Sequence, residues 1–121
     1  MYYVAAILLI TIGVIHSVLG ERYILIRLFR RDNLPKLYGN DTFTKNTLRF
    51  AWHITTIAWF GFAALLVFMA QSTLPSHFIG SIITLTFVAH FLLALLGSKG
   101  KHFSWVFFLL ISVCVGLGTY F

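Results

Sequence analysis

Residues 50–70 read FAWHITTIAWFGFAALLVFMA and contain no Asp, Glu, Lys or Arg. A helix of about 20 residues covers the roughly 30 Å hydrocarbon core of a bilayer, so this stretch predicts a membrane-spanning helix. The stretches 3–19, 78–97 and 103–120 have the same character. All four are continuously apolar and do not alternate in polarity, which favours helices over the strands of a membrane barrel. The sequence therefore predicts an all-α, polytopic integral membrane protein with four transmembrane helices.

The composition is that of a membrane protein and not of a soluble domain. The chain has 121 residues, of which 60% are hydrophobic and 10% are charged, whereas about a quarter of a soluble domain is charged. Residues 1–121 are therefore expected to form a single transmembrane domain. The net charge of +6 comes from basic residues that flank the apolar stretches. We expect the partners to be the lipid bilayer and its anionic headgroups, and no nucleic acid.

The basic residues also predict the orientation in the membrane. All nine lie in two connections, seven of them between residues 22 and 49 and two at Lys99 and Lys101. Short loops rich in Lys and Arg remain in the cytoplasm. Both basic connections are therefore expected to be cytoplasmic and both termini outside, as in a bacterial inner membrane. Four spans joined in this way predict an up-down antiparallel bundle.

The connections between the apolar stretches also contain residues that predict local structure. Residues 21–48 are expected to be a cytoplasmic loop that starts with a basic helical segment in the headgroup layer, Glu21 to Arg31. Asp41, Thr42 or Thr44 is expected to cap the start of the second membrane helix. In the outer connection, residues 71–77, Pro75 is expected to help end that helix.

Three histidines, His16, His53 and His90, lie in three different apolar stretches. An ionisable residue within a membrane is costly and often marks a functional site. At 1.5 Å of rise per residue, the three lie about 6 to 13 Å above the nearest basic residue. Small residues beside His16 and His90 are typical of faces where membrane helices approach each other. We therefore expect the three imidazoles to meet in the inner half of the bundle.

Three imidazoles with Glu21 nearby form a donor set that suits zinc, and also non-haem iron or copper. Glu21 could be a fourth ligand, an acceptor that orients an imidazole, or a general base. Water on such a metal becomes acidic enough to attack a carbonyl or phosphoryl group. A metal-dependent membrane enzyme acting on an amphiphilic substrate is therefore one hypothesis, and whether the chain is an enzyme is open.

Other functions fit the same residues. His53 and His90 could be the axial ligands of haem b in an electron-transfer protein. Histidines could also carry protons in a small proton-coupled transporter, because their charge changes between about pH 5 and 8. The chain could instead be a structural subunit of a larger membrane complex or a homo-oligomer, with each histidine acting as a hydrogen-bonding contact between helices.

Overall fold

The computed structural model describes residues 2–71 and 75–121. Within these ranges the chain is helical, and the only β-type pairing is a single bridge between Leu37 and Asn40. Helix α1 spans Tyr2–Leu19 and continues through a π-helical turn, Gly20–Leu25, into the short helix α2, Ile26–Leu28. Helices α3, α4 and α5 span Thr42–Met69, Ser76–Gly97 and Ser104–Tyr120. The all-α prediction is confirmed.

Length and composition make three of the described helical runs suitable for crossing a membrane: Tyr2–Leu28, Thr42–Met69 and Ser76–Gly97. The fourth, α5, is a shorter apolar helix of 17 residues. Large apolar side chains on the outside of the helices, such as Ile7 and Leu85, are 62% and 67% exposed. Lipid tails are a suitable environment for such side chains, which agrees with a membrane protein.

The first connection is shorter than the predicted loop 21–48. The first helical run ends only at Leu28, and α3 begins at Thr42, well before Phe50. Hydropathy missed the first turns of α3 because they are polar. The Asn40 side chain accepts a hydrogen bond from the Thr42 amide at 3.0 Å, whereas Asp41, at the N-cap position, makes no side-chain cap and pairs with Lys45 at 2.7 Å.

The ends of α4 also differ in part from expectation. Helix α3 already ends at Met69, and Pro75 stands at the N-cap of α4, with φ −61° and ψ 138°. Pro75 therefore begins a helix, because its fixed φ suits the start of one. Residues 72–74 of the predicted outer connection lie outside the described residues. At the other end, Gly100 has φ 74° and its amide donates to the Leu95 carbonyl at 2.8 Å, a common helix end.

The helices pack as a row in chain order. Helix α1 lies against α3, α3 against α4, and α4 against α5, and within the described ranges α1 approaches neither α4 nor α5. The α3 and α4 backbones come close at Gly61, where a Cβ would lie 2.6 Å from the Thr86 hydroxyl oxygen. This row is more open than the bundle expected from the sequence. Each pair of neighbours therefore has an interface of its own, with no common centre.

Candidate functional site

The π-helical turn Gly20–Leu25 interrupts α1 where it faces α3. A Cβ at Gly20 would overlap the indole of Trp52, so only glycine leaves room for that ring. The indole N–H donates to the His16 carbonyl at 3.0 Å, beside the point where the α-helical pattern ends. A π-helical turn within an α-helix often accompanies a functional site. Here it presents the next residue, Glu21, to α3.

The Glu21 carboxylate is held by two groups on α3. Arg49 binds both of its oxygens, Nη2 to Oε1 at 2.8 Å and Nε to Oε2 at 3.2 Å. The Nε2 atom of His53 lies 3.3 Å from Oε2. An ionised carboxylate can only accept hydrogen bonds, so Nε2 of His53 carries a hydrogen and donates it. Because Arg49 already binds both oxygens, Glu21 is poorly suited to act as a general base.

From His53 the hydrogen bonds continue into the interface. Its Nδ1 lies 2.9 Å from the Ser17 hydroxyl, which lies 2.7 Å from the Thr56 hydroxyl. Thr56 in turn lies 3.2 Å from the Gly13 carbonyl. We call this sequence, from Glu21 through His53, Ser17 and Thr56 to the Gly13 carbonyl, the polar chain. It begins beside Arg49, whose side chain is 44% exposed, and ends at Thr56, which is 6% exposed.

The donors and acceptors of the polar chain can be assigned for two protonation states of His53. When the His53 ring is neutral, Nε2–H donates to Glu21, and Nδ1 must accept from the Ser17 hydroxyl. Ser17 then accepts from Thr56, and the Gly13 carbonyl receives nothing from Thr56. When the ring is doubly protonated, Nδ1–H donates to Ser17, Ser17 donates to Thr56, and Thr56 donates to Gly13. Protonating His53 thus reverses the direction in which the Ser17 and Thr56 hydroxyls donate. Every hydrogen bond of the polar chain is then formed.

His16 packs against aromatic rings. Its ring stacks on the Trp52 indole at a centroid distance of 4.5 Å with 1° between the planes, and lies 5.1 Å from the Trp59 ring. Its Nε2 is 3.3 Å from the Trp52 carbonyl oxygen and so can only donate there. These contacts make His16 a packing contact between α1 and α3.

His90 lies in a different interface. It is 5% exposed, and its Nδ1 lies 2.7 Å from the Thr86 carbonyl of its own helix. The ring contacts Phe87 and, on α5, Phe108. It also lines a cavity between α3 and α4. The His90 ring contacts neither His16 nor His53.

The structure thus brings together only part of the predicted metal set. His53 and Glu21 are in contact, His16 is stacked on Trp52, and His90 is in another interface. Between residues 2–71 and 75–121 no group of three His, Cys, Asp or Glu side chains is placed to hold a metal ion. The reason is the helix row, because α1 and α4 do not meet. For the haem alternative, both ring nitrogens of His53 already have partners, so axial ligation by His53 and His90 would break one of these bonds.

Sequence reasoning did not assign a site role to four side chains at this interface: Ser17, Arg49, Trp52 and Thr56. Two signals were present in the sequence. Thr56 follows His53 by three residues, which places both on one helical face, and Ser17 adjoins a membrane histidine. The π-helical turn that aims Glu21 at α3 had no such signal.

Comparisons with protein-family models, with curated proteins and with solved structures gave no match.

Proposed function

We propose that this chain is a proton-coupled membrane protein in which His53 takes up one proton from the side that carries the basic loops. The observation that supports this most directly is the unbroken polar chain from Glu21 to the Gly13 carbonyl. Its distances of 3.3, 2.9, 2.7 and 3.2 Å are all within hydrogen-bonding range. Its two hydrogen patterns differ by one proton on His53. Glu21 would stabilise the protonated ring, because an opposite charge favours the charged form.

The proposal includes a topology. All four long helices would cross the membrane in an up-down arrangement, with the termini outside and the basic connections in the cytoplasm of a bacterial-type inner membrane. Helix α5, with 17 residues, would be about 26 Å long, close to the thickness of the hydrocarbon core. The charged groups around His53, namely Glu21 and Arg49, would then face the cytoplasmic surface.

The polar chain supports proton exchange with one side of the membrane. Beyond Thr56 the Phe60 ring packs on Gly13, where a Cβ would lie 2.8 Å from it, and the residues that follow along this interface, such as Ile10 and Ala63, are apolar. In this conformation a proton on His53 therefore exchanges with the side of the membrane that carries the basic loops. Release to the other side would require the contact between Gly13 and Phe60 to open, as in a small proton-coupled transporter with alternating access.

Side-chain NMR of ¹⁵N-histidine-labelled protein in lipid nanodiscs tests the proposal. The His53 ring should carry a hydrogen on Nε2, and acidification should add a second hydrogen on Nδ1, as the two hydrogen patterns require. The Glu21→Gln variant should shift the His53 Nε2 resonance, whereas the Asp41→Asn variant, which removes the carboxylate that pairs with Lys45, should leave it as in the wild type. A His53 ring that never gains the second hydrogen, or whose resonances are unchanged by Glu21→Gln, would disprove the proposal.

A metal site is the second candidate, and one distance favours it. Two ligands of a tetrahedral zinc ion with bonds of about 2.0–2.1 Å lie about 3.3 Å apart, and Nε2 of His53 is 3.3 Å from Oε2 of Glu21. The cation would have to displace Arg49 and recruit His16 or another ligand. Elemental analysis for zinc, iron and copper, in wild type beside His16→Ala, His53→Ala and His90→Ala, tests it. Near-stoichiometric metal that His53→Ala removes and that His90→Ala, in another interface, leaves in place would favour this candidate over proton coupling. Metal-free protein would exclude it.

A further inference from the structure

We propose that the cavity between α3 and α4 binds a small monocyclic phenol, whose single hydroxyl group donates to Nε2 of His90. This site is separate from the polar chain and does not depend on the proton-coupled function.

The cavity has the size of one six-membered ring. Its volume is about 130 Å³, and a protein cavity of about 150 Å³ is enough to bind benzene. The walls are almost wholly apolar and include Ala58, Leu65, Phe62 and Phe87. An aromatic ring is therefore a suitable occupant.

His90 is one of two polar side chains, with Thr86, in this otherwise apolar wall. A carbonyl oxygen accepts hydrogen bonds, so the 2.7 Å contact with Thr86 makes Nδ1 the donor. In the neutral ring, Nε2 then has a free lone pair and accepts. In the part of the chain that the structure describes, Nε2 has no hydrogen-bond partner. It also keeps some accessible surface, unlike the fully buried unpaired hydroxyls of Thr47 and Thr84. His90 is 5% exposed and lines the cavity, so the proposal places this nitrogen at the cavity wall.

The same chemistry decides between occupants. A water molecule could donate to Nε2 of His90 and to the Thr86 hydroxyl, which donates to the Ile82 carbonyl at 2.7 Å but can still accept. It would, however, leave most of the cavity of about 130 Å³ and its apolar wall unfilled. A plain hydrocarbon would leave Nε2 unpaired, which is unfavourable. A ring with one hydroxyl group satisfies both the apolar wall and the nitrogen.

The cavity is accessible from the lipid. Phe62, one of its lining residues, is 58% exposed on the outside of α3. In a membrane that face meets hydrocarbon, so the ligand would arrive dissolved in the bilayer. Phenols with apolar substituents partition there, and the ring alone would fill the cavity.

Binding of phenol and toluene to the full-length protein in lipid nanodiscs tests the inference, because the two molecules have the same number of heavy atoms. Titrations are followed through the ¹⁵N resonance of His90 Nε2. Phenol should bind saturably and shift that resonance, and toluene should bind about tenfold more weakly, as expected for one lost hydrogen bond.

Three variants complete the test. His90→Leu should remove the preference for phenol, measured by equilibrium dialysis, and Ala58→Leu should block both molecules by filling the cavity. His77→Leu, which changes an exposed histidine at the far end of α4, should leave both affinities unchanged. Equal binding of phenol and toluene in wild type, a phenol preference that survives His90→Leu, or absence of saturable phenol binding would each overturn the proposal. Circular dichroism and gel filtration verify that each variant is folded.

Discussion

Nε2 of His53 lies 3.3 Å from Oε2 of Glu21, across the interface between α3 and the π-helical turn that follows α1. Since Arg49 binds both oxygens of the same carboxylate, Glu21 is an acceptor and His53 is the donor. The direction of this hydrogen bond and the protonation state of His53 then decide which groups donate and which accept in the rest of the polar chain. Four predictions test the energetics and the coupling of this interface.

Ser17→Ala interrupts the polar chain between His53 and Thr56. Nδ1 of His53 then loses its partner, which should cost about 1 kcal/mol of stability. The hydroxyl of Thr56 remains free to donate to Gly13 whatever the protonation state of His53. Unfolding in mixed micelles with SDS measures the stability, and Ser76→Ala, at the exposed start of α4, is the control. A protonated state of His53 that still alters the Thr56 hydroxyl resonance in Ser17→Ala would contradict the chain.

Glu21→Gln keeps the size of the side chain and removes its charge. The carboxylate, Arg49 and His53 are partly exposed, so screening keeps the stability loss to about 1 kcal/mol or less. The larger effect should be on the His53 ring, because its Nε2–H loses a charged acceptor at 3.3 Å. The ¹⁵N resonance of His53 Nε2 should therefore shift. An unchanged resonance would show that Glu21 and His53 are not coupled.

Gly20→Ala should destabilise the contact between α1 and α3. The new Cβ would overlap the indole of Trp52, and overpacking of this kind costs about 1–3 kcal/mol. The indole should also lose its hydrogen bond to the His16 carbonyl, which tryptophan fluorescence would report. Gly118→Ala is a matched control, because no other atom lies within 4 Å of a Cβ there. Equal stabilities of the two variants would refute the role of Gly20.

Gly61→Ala tests the contact between α3 and α4. A Cβ at this position would lie 2.6 Å from Oγ1 and 2.9 Å from Cγ2 of Thr86, so we expect a loss of about 1–3 kcal/mol. Shortening the opposing side chain should recover part of it. In a double-mutant cycle, Gly61→Ala with Thr86→Ala should be more stable than the sum of the single effects. Strict additivity would mean that the two residues do not touch.

The helical class and the apolar runs could be predicted from the sequence, because burial of a continuous apolar segment depends on that segment alone. The apolar stretch indicated only Phe50 onward, since the first turns of α3 from Thr42 are polar. The expected cap at Asp41, Thr42 or Thr44 did indicate this earlier start, and Asp41 stands at the N-cap position. The role of Pro75 was misjudged because proline fits both after one helix and at the start of the next.

The sequence by itself determined that the chain is made of long apolar helices with its basic residues in two connections, and that polar side chains lie within those helices. Only the tertiary structure decided which polar side chains meet. A glycine that admits Trp52 and a π-helical turn rotate Glu21 toward His53, while the open row of helices keeps His90 in another interface. Helix composition is a property of each segment. The pairing of side chains depends on how the helices rotate and pack against one another, and that depends on contacts far apart in the chain.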